Sequence, residues 1–430
     1  MDKEEIPTVN GQRAAEKIRV LVLDEELPLP ANTGKRIRTL NLLTRLATDF
    51  DIDLLVHGNG ASPHAIRELA EMGIDIHVAK SSIPSKRGPG FYGRVLGSLA
   101  SKYPYAVWSH WQAGYVEELD ELLRRKHYDL IHCEWTPYAQ YVLRHTGKKW
   151  TVAAHNVESM VWQRMAKYSE QPKRWFLRIQ ANRMRRFEES VFERCSAVIA
   201  VSEPDAIEIT KLGASNTSVV HNGVDTRVFR PSTSDQRIRR TLVFTASFDW
   251  RPNQDGARWF LDEVHPKLIA RSGFRVKLVG RNPPAWLIKR CQGMQDVEVT
   301  GEVADVAPFL LEGEIAIVPL RFGGGSRLKI LEAFSSGIPV VSTTMGAEGL
   351  SVQDGVHIML ADSPGEFADK ILQLSGDADL RRALAKAGRV LVEERYDWGM
   401  LAKKQGEVWR EVVHESAGPS EADPPVSGAR

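Results

Sequence analysis

The sequence predicts an α/β protein of two doubly wound, Rossmann-like domains facing each other across a cleft, and three observations predict it. Its 430 residues exceed what one hydrophobic core usually serves, so two domains of about 200 residues are expected. Short β-branched runs alternate with longer amphipathic stretches, and this β-α-β rhythm is performed twice. Between the two series lies "NGVDTRVFRPSTSDQR", punctuated by Gly, Pro and Ser, which reads as a linker.

The first series places strands at 18–24 ("IRVLVLD"), 51–58, 74–80, 128–134, 150–156, 197–202 and 217–222. The second places them at 241–247, 275–280, 297–301, 315–320, 338–343 and 357–361. These runs are apolar on both faces, as parallel strands covered by helices must be. The expected organisation is a flexible N-terminus (1–16), a first domain (17–222), a linker (223–240) and a second domain (241–395). A last helix (396–414) carries Trp398, Leu401 and Trp409 with nothing left in its own sheet to cover, so it is expected to cross back to the first domain. The Pro/Ser/Gly-rich tail (415–430) is expected to be disordered.

Composition excludes several classes. Lys plus Arg total 57 against 55 Asp plus Glu, a balance that gives no reason to expect a nucleic-acid partner. Cys133, Cys195 and Cys291 lie far apart without C-x-x-C or a His/Cys cluster, which argues against a disulfide framework or a zinc site and suits a reducing cytoplasm. No apolar stretch reaches the ~18 residues of a membrane span. The polar opening "MDKEEIPTVNGQRAAEK" lacks the apolar segment of a signal peptide, so a cytoplasmic location is expected.

One stretch carries the strongest chemical signal. "LRFGGGSRLKILEAF" runs from a strand through Gly323, Gly324 and Gly325 into a helix, with Ser326 as its expected N-cap and Arg327 and Lys329 in its first turn. Two cations at the positive end of a helix dipole are unfavourable unless an anion sits among them. Strand, glycine loop, helix start and cations together suit a phosphate group, or a diphosphate. Glu332 lies three residues beyond Lys329, too far in for the phosphates but placed for the hydroxyls of a ribose. The competing reading is a tight strand–helix connection with a solvated basic turn. "NTGKRIR" lacks the earlier glycine and the Ser/Thr of a P-loop, and neither half has G-x-G-x-x-G after its first strand.

The double β-α-β layout together with "PLRFGGGSRLKILEAFSSGIPVVSTTMGAEGL" resembles the family 4 glycosyltransferases, which have the GT-B fold. The likeness extends over most of the chain through "YDLIHCEWTPYAQY", "AAHNVESMVWQRMA", "AVIAVSEPDA", "VVHNGVDTRVFRP", "FTASFDWRPNQDGARWFLDEVHP" and "VTGEVADVAPFL". It is nearest to bacterial sugar transferases of polysaccharide assembly. It implies a hexosyltransferase that moves a sugar from a nucleotide-diphosphate donor to a saccharide or lipid-linked acceptor with retention. No cofactor and no essential metal are implied.

The resemblance also implies roles residue by residue. Glu332 matches the second glutamate of the family's E-x7-E motif, which holds the donor ribose; Gly324 stands where the first should be. Backbone N–H groups of Gly323, Gly324 and Gly325 are then expected to hold the donor sugar. Arg251 is the candidate diphosphate arginine, and Asn253 stands near the position of a second cation, which leaves more phosphate charge to Arg327 and Lys329. Gly280, Arg281 and Val303 are expected near the nucleobase. Gly34 lines the cleft beneath the donor sugar, and His155 stands near the reacting centre, donating to a hydroxyl or to the departing phosphate.

Other features keep two readings. Asn156 and Glu158 follow His155 as cleft candidates, although a carboxylate at a helix start also stabilises the dipole. "DID" at 51–53 resembles a metal motif but is expected to mark a polar strand face. The basic helix 173–194 and the aromatic stretch 102–115 suit either a solvated face or peripheral docking on an anionic membrane surface. Two other functions remain open at this level: another GT-B enzyme acting on nucleotide sugars, epimerase-like, or a non-catalytic nucleotide-sugar-binding protein.

Overall fold

A computed structural model describes residues 17–415, apart from 86–87, 146, 168, 233–237, 270–272 and 324–326. The expected flexible N-terminus, nearly all of the tail, part of the linker, and Gly324, Gly325 and Ser326 therefore lie outside the described residues.

The first sheet holds β1 (Ile18–Leu23), β2 (Phe50–His57), β3 (Ile74–Ala79), β4 (Leu130–Cys133), β5 (Trp150–Ala154), β6 (Ala197–Ala200) and β7 (Thr217–Val219). The second holds β8 (Thr241–Thr245), β9 (Arg275–Val279), β10 (Val297–Gly301), β11 (Ile315–Val318), β12 (Val340–Ser342) and β13 (Met359–Leu360). Their orders are β3-β2-β1-β4-β5-β6-β7 and β10-β9-β8-β11-β12-β13, and neighbouring strands pair in parallel. In each sheet the order reverses at the first strand. That leaves a crevice beyond the carboxyl ends of β1 and β4, and of β8 and β11, where doubly wound sheets bind ligands.

The strands are apolar runs because both faces are covered. Val20 to Leu23 and Leu54 to Val56 are fully buried, and separate apolar clusters fill the two faces of the first sheet. The helix Trp398–His414 belongs to one of these first-sheet clusters. Trp398 and Trp409 are buried there, Trp409 meets Phe50 edge-on at 5.3 Å, and Lys149 Nζ donates to Val413 O at 2.7 Å. An aromatic pair of this kind adds about 0.5–1.5 kcal/mol beyond its buried area.

Local contacts refine the expectations at three places. Within the expected linker span, Val224 bridges to Asp397 and is buried in the second-domain core, and Thr226 Oγ1 donates to Asp397 Oδ2 at 2.7 Å. Asp53 marks no solvated face; it is buried, with Lys126 Nζ 2.8 Å from both oxygens. The helix after the glycine loop is Leu328–Ser335, one residue later than a start at Arg327; the expected N-cap Ser326 lies outside the described residues. Arg327 holds the N-cap position, in the left-handed region at φ 49° and without a side-chain cap.

Candidate functional site

A cavity of about 510 Å³ opens between the two domains at the carboxyl ends of both sheets. Gly34, Lys35, His155, Asn156 and Arg164 line it from the first domain; Ser247, Asn253, Arg327, Lys329 and Glu348 line it from the second.

The second-domain wall is built on the turn after β11. Gly323 has φ 102°, and a Cβ there would lie 2.6 Å from Pro252 Cγ, so only glycine lets the loop pass the helix Arg251–Trp259. Arg327 folds back across this loop: Nη2 donates to Gly323 O at 2.9 Å and lies 3.2 Å from Glu348 Oε2. Lys329 Nζ donates to Asn253 Oδ1 at 2.7 Å and lies 4.6 Å from the Phe244 ring centroid. Asn253 in turn donates through Nδ2 to Ser247 O at 2.7 Å. Burial pulls the Lys329 ammonium down to about 7, against the attraction of Glu332. Burial likewise pushes the Glu332 carboxyl up to about 7. The turn is thus a desolvated, cationic place in which an anion would be held far more strongly than in water.

On the first-domain wall, His155 Nε2 lies 2.7 Å from Glu134 O. A carbonyl only accepts, so Nε2 carries the proton and Nδ1 keeps its lone pair. Burial lowers the imidazole to about 4, although Glu134 opposes this. The ring is therefore neutral near pH 7, and Nδ1 keeps the lone pair with which it can accept. Beneath it, Glu134 also takes Thr39 Oγ1 at 3.0 Å and stands 3.2 Å from His132 Nε2. Lys35 Nζ is held by Asp24 Oδ1 at 2.5 Å and Glu25 Oε1 at 3.0 Å.

Of the candidates read from the sequence, the cavity gathers Gly34, His155, Asn156, Asn253, Arg327 and Lys329. Arg251 is exposed and stands outside the lining. Gly280 serves packing: a Cβ there would come 1.7 Å from Ala246 O. Arg281 braces the wall from behind, its Nε donating to Ser247 Oγ at 2.8 Å. Val303 packs on the second-domain core. Glu158 accepts from Trp135 Nε1 at 2.9 Å, outside the lining. Glu332 sits one helical turn behind Lys329, half-buried and outside the lining, and its carboxylate takes no hydrogen bond from the described residues.

The sequence reading missed Lys35, Arg164, Asp205 and Glu348. Lys35 stood in view in "NTGKRIR" but was weighed only against a P-loop. Asp205 and Glu348 carry no local signal, because their place in the cavity depends on the two domains meeting.

Comparison with known proteins fits this geometry. Residues 64–228 match a model described as Glycosyltransferase Family 4, and 239–377 match one described as Glycosyl transferases group 1. An uncharacterized 44.6 kDa protein from the cps region of Klebsiella pneumoniae is 22% identical over 88% of this chain and 96% of its own length. A GDP-mannose-dependent monoacylated alpha-(1-6)-phosphatidylinositol monomannoside mannosyltransferase of Corynebacterium glutamicum is 25% identical, over 43% of this chain and 53% of that one. The crystal structure of Anabaena HepE in complex with UDP and glucose superposes with TM-score 0.63 at 16% identity, covering 92% of this chain and all of that one.

Proposed function

The chain is a family 4 glycosyltransferase of the GT-B fold, and from that premise we propose that it takes a sugar from a nucleotide-diphosphate donor and transfers it, with retention, to a saccharide or lipid-linked saccharide in glycoconjugate or polysaccharide assembly. The observation that carries this reading is the desolvated pair Arg327 and Lys329, opening into the inter-domain cavity beside a glycine loop.

In this reading the diphosphate lies against the 323–329 turn. Arg327 and Lys329 neutralise it, and Lys329 exchanges the neutral amide of Asn253 for an anion. These two cations take the place a divalent metal would fill, so transfer is proposed to be metal-independent. Glu332 receives the ribose hydroxyls, a role supported by a carboxylate that takes no hydrogen bond from the described residues. The His155 lone pair accepts from a sugar hydroxyl, while Gly34 keeps the backbone low beneath the ring. Retention is supported by the family alone, and titration of the product anomer tests it.

The acceptor is proposed to be met at a membrane surface. Among the described residues no helix is long and apolar enough to cross a membrane. The first domain nevertheless exposes Tyr92, Leu96, Trp111 and Trp175, with Lys173, Arg178 and Arg186 exposed on the helix Lys173–Phe192. Arg183 is not part of that face, because it donates to Ser98 O and Leu99 O at 2.8 Å each.

The test is a thermal-shift series with UDP, GDP and their hexose conjugates. A ligand at ~100 times its dissociation constant stabilises by about 2.7 kcal/mol. Stabilisation by one nucleoside diphosphate and its sugar conjugate is expected; none by any of them would remove the donor assignment.

A further inference from the structure

Among the described residues two carboxylates line the cavity, and the donor-site account gives neither a task. Asp205, from the first domain, is engaged at its own helix start: Ser202 Oγ donates to Asp205 Oδ2 at 2.5 Å and accepts from Asp205 N at 3.2 Å. Glu348, from the loop after β12, differs. Its side chain is 45% exposed, and its side-chain partner among the described residues is Arg327, at 3.2 Å. Arg327 also reaches the backbone of the same residue, Nε to Glu348 O at 3.3 Å.

That pairing answers the charge problem posed by the helix start. The Arg327 side chain is 4% exposed, and a cation so far from water needs a counter-charge. Here Glu348 supplies it. A diphosphate between Arg327 and Lys329 offers the guanidinium two or more negative charges and several acceptor oxygens, against one carboxylate. With Arg327 turned to a diphosphate, Glu348 would stand in the cavity wall without its Arg327 partner. A carboxylate accepts hydrogen bonds and a hexose offers hydroxyl donors, so the freed group and the sugar are complementary.

The loop's position places this exchange at the seam between domains. Gly349 has φ 84°, and a Cβ built on it would lie 3.9 Å from Ser202 Cβ of the first domain. Glu348 thus stands at the seam where the cavity meets the first domain.

We propose that Glu348 reads the donor's sugar hydroxyls, and that the diphosphate makes it available by taking Arg327 from it. This rests on the donor-site reading above and adds the residue that distinguishes a nucleotide sugar from a bare nucleoside diphosphate.

The test titrates the full chain, Glu348→Gln, Glu348→Ala and Arg327→Ala with UDP, GDP and a panel of UDP- and GDP-hexoses. The quantity read is the affinity for the nucleotide sugar divided by that for its nucleoside diphosphate. In both Glu348 variants the diphosphate should bind as tightly as in the parent or up to tenfold tighter, since Arg327 is no longer neutralised. The ratio should fall at least tenfold, and donor turnover at least 100-fold. An unchanged ratio overturns the role of Glu348 while leaving the diphosphate site standing. Equal loss of both ligands marks Glu348 as a structural tie and also overturns it. If Arg327→Ala leaves diphosphate affinity intact, or the parent binds neither nucleoside diphosphate, the donor-site reading fails and takes this proposal with it.

Discussion

Lys329 Nζ donates to Asn253 Oδ1 at 2.7 Å, so the amine behind the glycine turn rests on a neutral amide rather than on an anion. Burial lowers it to about 7, and at pH 8 much of it is uncharged. A diphosphate favours the ammonium and raises its pKa again. Binding of a nucleoside diphosphate at pH 8 should therefore take up a substantial fraction of a proton. Calorimetry in buffers of different ionisation enthalpy measures this, and Lys329→Met should abolish it. Uptake that persists in the variant would place the titrating group elsewhere.

Glu332 has the opposite sign. Its folded pKa, raised to about 7 by burial, lies above the unfolded value of 4.5. The carboxylate therefore costs stability that begins as pH rises through 4.5 and is fully present above about 7. Glu332→Gln should raise the melting temperature of the ligand-free protein at pH 8 and leave it unchanged at pH 4. The same variant should lose its preference for ribo- over 2′-deoxyribonucleotide donors. A variant that keeps the parent's preference would end the ribose assignment.

Much of this was legible in the sequence because it is periodic. All thirteen described strands fall where the β-branched runs lie, since a buried parallel strand must be apolar on both faces. The glycine loop with its cations was legible for a different reason: helix-end electrostatics act within one turn. The helix start was misplaced because Arg327 adopts a left-handed backbone, which no propensity announces. Glu348 stands 21 residues from Arg327, and their pairing exists only once β11 and β12 are neighbours. Arg251 looked apt by charge, yet the side chain that turns inward there is Asn253.

The crossing helix fastens the end of the described chain to the first domain. Trp409 is fully buried against Phe50 and 5.1 Å from the His132 ring, in the first domain. Trp409→Ala should cost about 3–5 kcal/mol of unfolding free energy, read by denaturant titration. A loss below about 1 kcal/mol would mean the helix is not fastened as described.

Docking on an anionic leaflet is checked by co-sedimentation with vesicles containing phosphatidylglycerol. Binding should weaken with salt and fall when Lys173, Arg178 and Arg186 become Glu, whereas Arg183→Glu should destabilise the fold by stripping Ser98 and Leu99 of their donor. No sedimentation at low salt would leave these side chains a solvated face.

The central claim, that Arg327 and Lys329 hold the donor diphosphate, is tested most directly by calorimetric titration of Arg327→Ala and Lys329→Ala with the nucleoside diphosphate that stabilises the parent. Charge-assisted hydrogen bonds contribute about 1.5–3 kcal/mol each, so each variant should bind roughly tenfold or more weakly. The melting temperature of ligand-free Lys329→Ala should hold or rise, because a desolvated amine has been removed. Parent-like affinity in both variants would contradict the account.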